Sequence, residues 1–120
     1  MRIHYELAAL VFSAWRLANG TERLPLEGNS FDAALERAAA LMPERLASGL
    51  RFAETIWGRR CLEHDDLLGC GFASFHLATS GGRVSVTIEA TRAMDLLVEL
   101  GVTVEEGVEI GRAMRASASV

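Results

Sequence analysis

The sequence predicts an α+β fold, and three observations carry the prediction. Residues 84–88 set Val84, Val86 and Ile88 against Ser85 and Thr87, and residues 72–78 set Ala73, Phe75 and Leu77 against Ser74 and His76. That alternation is the pattern of strands with one face buried. Gly81-Gly82 lies between the two runs and supplies the positive φ that a tight hairpin turn needs. On both sides of this hairpin, apolar residues recur at spacings of three and four, the period of one helix face. The expected architecture is a small antiparallel sheet around a hairpin at about 71–89, packed with N-terminal helices and two C-terminal helices as a single domain over residues 1–120. A chain of 120 residues, half of them apolar, can bury such a core without disulfides or metal.

Taken in order, residues 3–18 carry Ile3, Leu7, Leu10, Val11, Ala14 and Ala18 on one helical face, and Gly20 sits where a left-handed residue would stop the helix. Residues 21–29, with Pro25 and Gly28, read as a loop. Ser30 offers a hydroxyl to the free amides of a second helix, and Asp32 puts a negative charge in its first turn. Phe31, Leu35, Ala38, Ala39 and Met42 form its buried stripe. Pro43 ends that helix or opens a short successor over residues 44–50. Residues 50–60 fit two patterns: Phe52, Ile56 and Trp57 are strand formers, while Leu46, Leu50, Ala53 and Trp57 keep helical spacing. The bracketing Gly49 and Gly58 favour a strand. Residues 61–69 run from polar to apolar and hold one helical turn.

After the hairpin, Ala93, Leu97 and Leu100 oppose Arg92, Asp95 and Glu99 in a helix that Gly101 ends. Thr103 and Glu106 then match a capping box, in which hydroxyl and carboxylate each satisfy the other residue's amide. The last helix, to about Arg115, places Gly107 and Gly111 on its apolar face with Val104, Val108 and Met114. Two glycines there predict another backbone lying close against them.

All 12 basic residues are arginine. Residues 1–60 carry a net charge of +1 and residues 61–120 a net charge of −5. The acidic second half disfavours a phosphate-binding surface there. The longest apolar run, residues 7–12, is far below the roughly 20 residues of a membrane span, and the chain opens without the order of a signal peptide. No membrane partner and a cytoplasmic location are therefore expected, with Cys61 and Cys70 reduced.

Three function classes follow from the residues. Cys61, His64, Cys70 and His76, in the order C-x2-H-x5-C-x5-H, are four donors of the kind a structural zinc site uses. The carboxylates Glu63, Asp65 and Asp66 around His64 could tune it as an acid–base group, so a small metal-dependent or thiol enzyme is one class. No G-x-S-x-G elbow or phosphate loop supports an enzyme further. The second class is DNA binding. A short alternating strand at 84–88, followed by two helices around Gly101-Val102-Thr103, resembles the ribbon-helix-helix family of dimeric repressors and antitoxins over residues 83–115. The resemblance implies that Ser85, Thr87 and Glu89 face bases and that amides near Thr103 meet a phosphate. Glu89, Glu105 and Glu106 depart from it by placing negative charge beside the DNA. The third class, and the one left by elimination, is a non-enzymatic protein that binds a macromolecular partner, as an inhibitor, antitoxin or assembly factor does. Its binding residues would be the acidic groups Glu63, Asp65 and Asp66 and Glu105, Glu106 and Glu109.

Overall fold

A computed structural model describes residues 2–115. The described chain is α+β: six helices and two separate antiparallel two-stranded sheets. In order these are α1 (Arg2–Asn19), α2 (Ser30–Ala39), α3 (Glu44–Ala47), β1 (Phe52–Thr55), β2 (Gly58–Cys61), α4 (His64–Ala73), β3 (Leu77–Ser80), β4 (Arg83–Val86), α5 (Ala90–Glu99) and α6 (Val104–Arg115).

Helix α1 is the axis of the core. Leu7 to Trp15 are buried without interruption, so the middle of this helix is enclosed on every side, mainly by α6, α5 and α4. A helix apolar all round can be stable only inside such a jacket. The closest approach is to α6. A Cβ on Gly111 would collide with the Ala14 carbonyl and the Ala18 side chain, and one on Gly107 with Leu97 of α5. The two glycines of the last helix thus mark close packing, as their shared face predicts. The capping box at its start is also formed: Thr103 N–H donates to Glu106 Oε1 at 2.9 Å, and Glu106 N–H donates to Thr103 Oγ1 at 3.0 Å. Gly101 ends α5 at φ +77° and Gly20 ends α1 at φ +66°.

Arginines tie element ends together. Arg37 donates to the carbonyls of Ala113 and Met114 at the end of α6, Arg45 to Leu100 at the end of α5, and Arg16 to Ile88 before α5. The planar guanidinium can hold such carbonyls while its stem packs. Partial burial lowers the Arg37 pKa.

The β3–β4 hairpin has the predicted turn, with Gly81 and Gly82 at φ +59° and +76°, and pairs Leu77 with Val86 and Ser80 with Arg83. Its second strand is flanked on the other edge by the 21–29 loop: Arg23 bridges Ser85, and Leu24 N–H donates to the Val84 carbonyl at 2.9 Å.

Five local expectations are corrected. The helix cap before α2 is Asn29 rather than Ser30, which is the first helical residue and makes no capping bond. Residues 50–60 are a hairpin and not one strand: Ile56 and Trp57 form the turn, and Gly58 supplies its left-handed residue at φ +95°. Residues 61–69 hold more than one helical turn, because α4 runs to Ala73. That helix takes in Phe72 and Ala73, so the strand expected to begin there begins at Leu77. Phe75, expected to point inward, is 86% exposed.

Candidate functional site

Asp32 is the buried polar centre of the molecule. It lies one helical turn before Leu35 on the inner side of α2, and its carboxylate is almost wholly enclosed. Oδ1 accepts from the Cys61 amide at 2.8 Å and from His64 Nδ1 at 3.1 Å. Arg60 Nε stands 3.2 Å from Oδ2, an ion-pair separation off the line of a hydrogen bond, so Oδ2 has no hydrogen-bond partner among the described residues. A second carboxylate sits beside it. Glu63 is buried, accepts from the Arg51 amide at 2.7 Å and Arg51 Nε at 2.6 Å, and receives the Cys61 thiol at 3.7 Å. The edge of the Phe31 ring abuts His64, with ring centres 5.3 Å apart. Together these groups clasp the base of the β1–β2 hairpin and the start of α4 onto α2.

The clasp holds two of the four residues named in the zinc and thiol readings. Cys61 and His64 do come together, but on Asp32 and Glu63. Burial, more than any neighbour, pushes the Cys61 thiol up to about 11, which keeps it neutral and unreactive at ordinary pH. Cys70 is half-buried in α4. His76 is half-buried at the entry to β3, its pKa lowered by burial and by Arg92. Among the described residues no three His, Cys, Asp or Glu side chains are grouped so as to hold a metal ion, so the four expected zinc donors do not form a site. The sequence signal for Asp32 was its helical register with Leu35 and Ala39, which places a carboxylate on the buried stripe.

The acidic residues divide. Glu63 is interior and cannot meet a partner. Asp65 and Asp66 are exposed in the first turn of α4, and Glu105 and Glu106 in that of α6, with Glu109 one turn on. Negative charge in a first turn is stabilising through the helix dipole, which accounts for four of these side chains without a partner. Glu106 is spent on the capping box, Glu109 pairs with Arg112 at 3.1 Å, and Asp66 lies 3.8 Å from His4.

The ribbon-helix-helix arrangement is also corrected. Its ribbon requires a free strand edge for a second subunit, and β4 has β3 on one edge and Arg23–Leu24 on the other. Thr87, expected to face bases, donates its hydroxyl to the Phe75 carbonyl at 3.0 Å. The Thr103 amide, expected to meet phosphate, already holds Glu106.

What the sequence did not single out is the surface around the β1–β2 turn. Ile56 is 89% and Trp57 75% exposed. The turn beneath them is fixed: Thr55 Oγ1 accepts from the Trp57 amide at 3.0 Å and donates to the Gly58 carbonyl at 2.7 Å. Arg59 on the stem pairs with Glu36 at 2.9 Å and Glu54 at 3.5 Å. The described pockets are shallow clefts elsewhere. One of about 400 Å³ lies between Trp15, Leu24, Pro25 and Met114, where the flanking Arg23 and Arg115 are paired with Glu27 and Glu22. No family model matches this chain, and comparison with curated proteins and with solved structures finds no match.

Proposed function

We propose that this chain is a binding protein that engages a protein partner through the apolar tip of the β1–β2 hairpin, with Trp57 as the anchor. The observation that carries the reading is the exposure of Ile56 and Trp57 on a turn locked from both ends. Tight turns are ordinarily built from Gly, Asn, Asp and Ser, whose chemistry favours the turn itself. An isoleucine and a tryptophan there stand in water and add little to the core. Enclosing either side chain in a partner's cleft would recover about 1.5–3 kcal/mol. Tryptophan is the commonest kind of residue to dominate an interface, and a rigid turn loses little entropy on docking.

The charge around the tip supports a protein over a nucleic acid. Arg51, Arg59 and Arg60 on the hairpin each have a carboxylate of this same chain as partner, Glu63, Glu36 with Glu54, and Asp32. Phosphate binding needs uncommitted cations. An apolar cleft does not. The identity of the partner then separates inhibitor, antitoxin and assembly factor.

Photo-crosslinking tests the reading. A benzophenone amino acid at position 57 of the chain, expressed in its native source, is expected to give a discrete adduct with one protein. The same probe at exposed Arg83, beside the turn of the other hairpin, is expected to give none. Absence of an adduct at 57, or the same adducts at both positions, would contradict it.

A further inference from the structure

We propose that the outer edge of β1 takes up an extended segment of the protein partner as a third strand, so that this edge and Trp57 meet one and the same chain. The choice of partner rests on the reading of the hairpin tip, while the open edge stands on its own geometry.

The register decides which way each backbone group of β1 points. Thr55 pairs with Gly58 across a two-residue turn, and the Leu62 amide donates to the Arg51 carbonyl at 2.8 Å. Bonded and non-bonded pairs alternate along an antiparallel ladder. Thr55–Gly58, Ala53–Arg60 and Arg51–Leu62 are therefore the bonded pairs, and Phe52 and Glu54 turn their amides and carbonyls away from β2. The same alternation points Arg59 and Cys61 outward on the opposite edge. There the Cys61 amide meets Asp32, and the Arg59 carbonyl lies 3.5 Å from Asn29 Nδ2. The β2 edge is thus seated on α2 and the loop before it. The β1 edge has no strand beside it, and the outward groups of Phe52 and Glu54 have no partner among the described residues.

Donors and acceptors repeating every second residue, about 7 Å apart on one line, are matched by an extended backbone and not by a helix. Edges of this kind are ordinarily blunted by proline, a bulge or a covering segment. The outer edge of β4 has such a cover in Arg23–Leu24. Residues 52–55 contain no proline and pair without a bulge. They lead directly into Ile56 and Trp57, so edge and tip form one continuous surface.

The side chains select a foreign strand over a second copy. An antiparallel pair of β1 strands centred on Ala53 sets the Phe52 ring against the Glu54 carboxylate twice, and one centred on Glu54 sets two carboxylates face to face. Glu54 is 74% exposed, and its cation Arg59, 3.5 Å away, lies closer to Glu36 at 2.9 Å. A partner strand with a branched apolar residue opposite Phe52 and a Lys or Arg opposite Glu54 suits both positions.

A short, capped synthetic peptide of alternating threonine and valine, carrying an isoleucine and a lysine two residues apart to face Phe52 and Glu54, tests the edge without the native partner. In NMR spectra of the full chain, the Phe52 and Glu54 amides are expected to exchange freely with solvent before the peptide is added, and to shift saturably and gain protection after it. No shift, or shifts confined to Ile56 and Trp57, overturns the proposal. Glu54→Pro removes an outward amide and keeps the ladder, so thermal melts are expected to stay near wild type while peptide affinity falls about tenfold. Ala53→Pro removes a ladder amide and is expected to melt the hairpin; equal damage from the two prolines contradicts the register. Sedimentation is expected to show a monomer, and a dimer that Glu54→Pro abolishes would give the edge to a second copy instead. In the native source, Glu54→Pro is expected to cut the yield of the position-57 adduct about tenfold. An unchanged yield overturns the third strand and leaves the tip reading standing. No adduct even with Glu54 in place contradicts the tip reading and the shared partner, and the peptide then decides the edge alone.

Discussion

The two hairpins have the same size, four residues in each strand and two in the turn, and opposite uses. The β3–β4 hairpin turns inward: Leu77, Val86 and the following Ile88 are core residues, the outer edge of β4 is closed by Arg23–Leu24, and its tip is a bare Gly81-Gly82. In the β1–β2 hairpin only Cys61 is fully buried, at the base, while the tip carries Ile56 and Trp57 into solvent. One hairpin is part of the core with a silent turn. The other is an attachment whose turn bears the largest side chains. The difference shows that a sheet element can be held by its base alone when a polar clasp replaces a buried face.

That contrast can be broken most severely at the clasp. Asp32→Ala removes the acceptor for the Cys61 amide and His64 and leaves Arg60 without its carboxylate. A loss of about 3–5 kcal/mol is expected in chemical denaturation. Native hydrogen exchange should show the 52–61 amides affected more than those of 77–86. Trp57→Ser is expected to leave stability within about 0.5 kcal/mol and to weaken partner binding by about 2 kcal/mol or more, roughly 30-fold. Titration calorimetry with the crosslinked partner, beside thermal melts, reads both.

The turns themselves differ by less. Gly58→Ala places a Cβ at φ +95° and 3.0 Å from Asn29 Nδ2, and about 1–2 kcal/mol of destabilisation is expected. Gly81→Ala meets open space at φ +59°, so only the backbone term of about 1 kcal/mol applies. Matched thermal melts of the two variants rank them.

The smallest expected effect is a pH dependence at the entry to β3. Burial first, then Arg92, hold the His76 pKa below 6.5 in the folded chain. The unfolded chain therefore takes up the proton first as the pH falls. The His76 contribution is fully present above about 6.5, declines as the pH falls to the folded pKa, and is constant below it. Melts of wild type and His76→Gln between pH 8 and about 5 should diverge only on the acid side.

The second strand and the turn of the inward hairpin were legible in the sequence because Val84, Val86 and Ile88 alternate with polar residues and a Gly-Gly turn has a recognisable chemistry, whereas the alternation at 72–78 starts its first strand too early. The outward hairpin was not legible. Thr55-Ile56-Trp57-Gly58 contains strand formers at the positions that turn, and the only turn signal is Gly58, one residue later than a two-residue loop would place it. Helix α4 was hidden for a related reason. With apolar residues on both sides it has no helical period, and Ala73, Phe75 and Leu77 imitate a strand across a helix end. The helices α1, α5 and α6 were legible because apolar residues recur at three and four along each and their ends carry glycines or a capping box. At the site, Cys61 and His64 stood out by residue type, but their shared partner Asp32 lies 29 residues before Cys61, and Arg51, the partner of Glu63, lies 12 residues before it, distances no local pattern reports.

The central claim is that the β1–β2 tip is built for contact, and the two tryptophans allow it to be measured directly. Trp15 is buried and Trp57 exposed. On adding the captured partner, wild-type emission should shift to shorter wavelength and acrylamide quenching should fall, with both changes lost in Trp57→Phe. Binding at full strength with Trp57 still open to quencher would contradict the account.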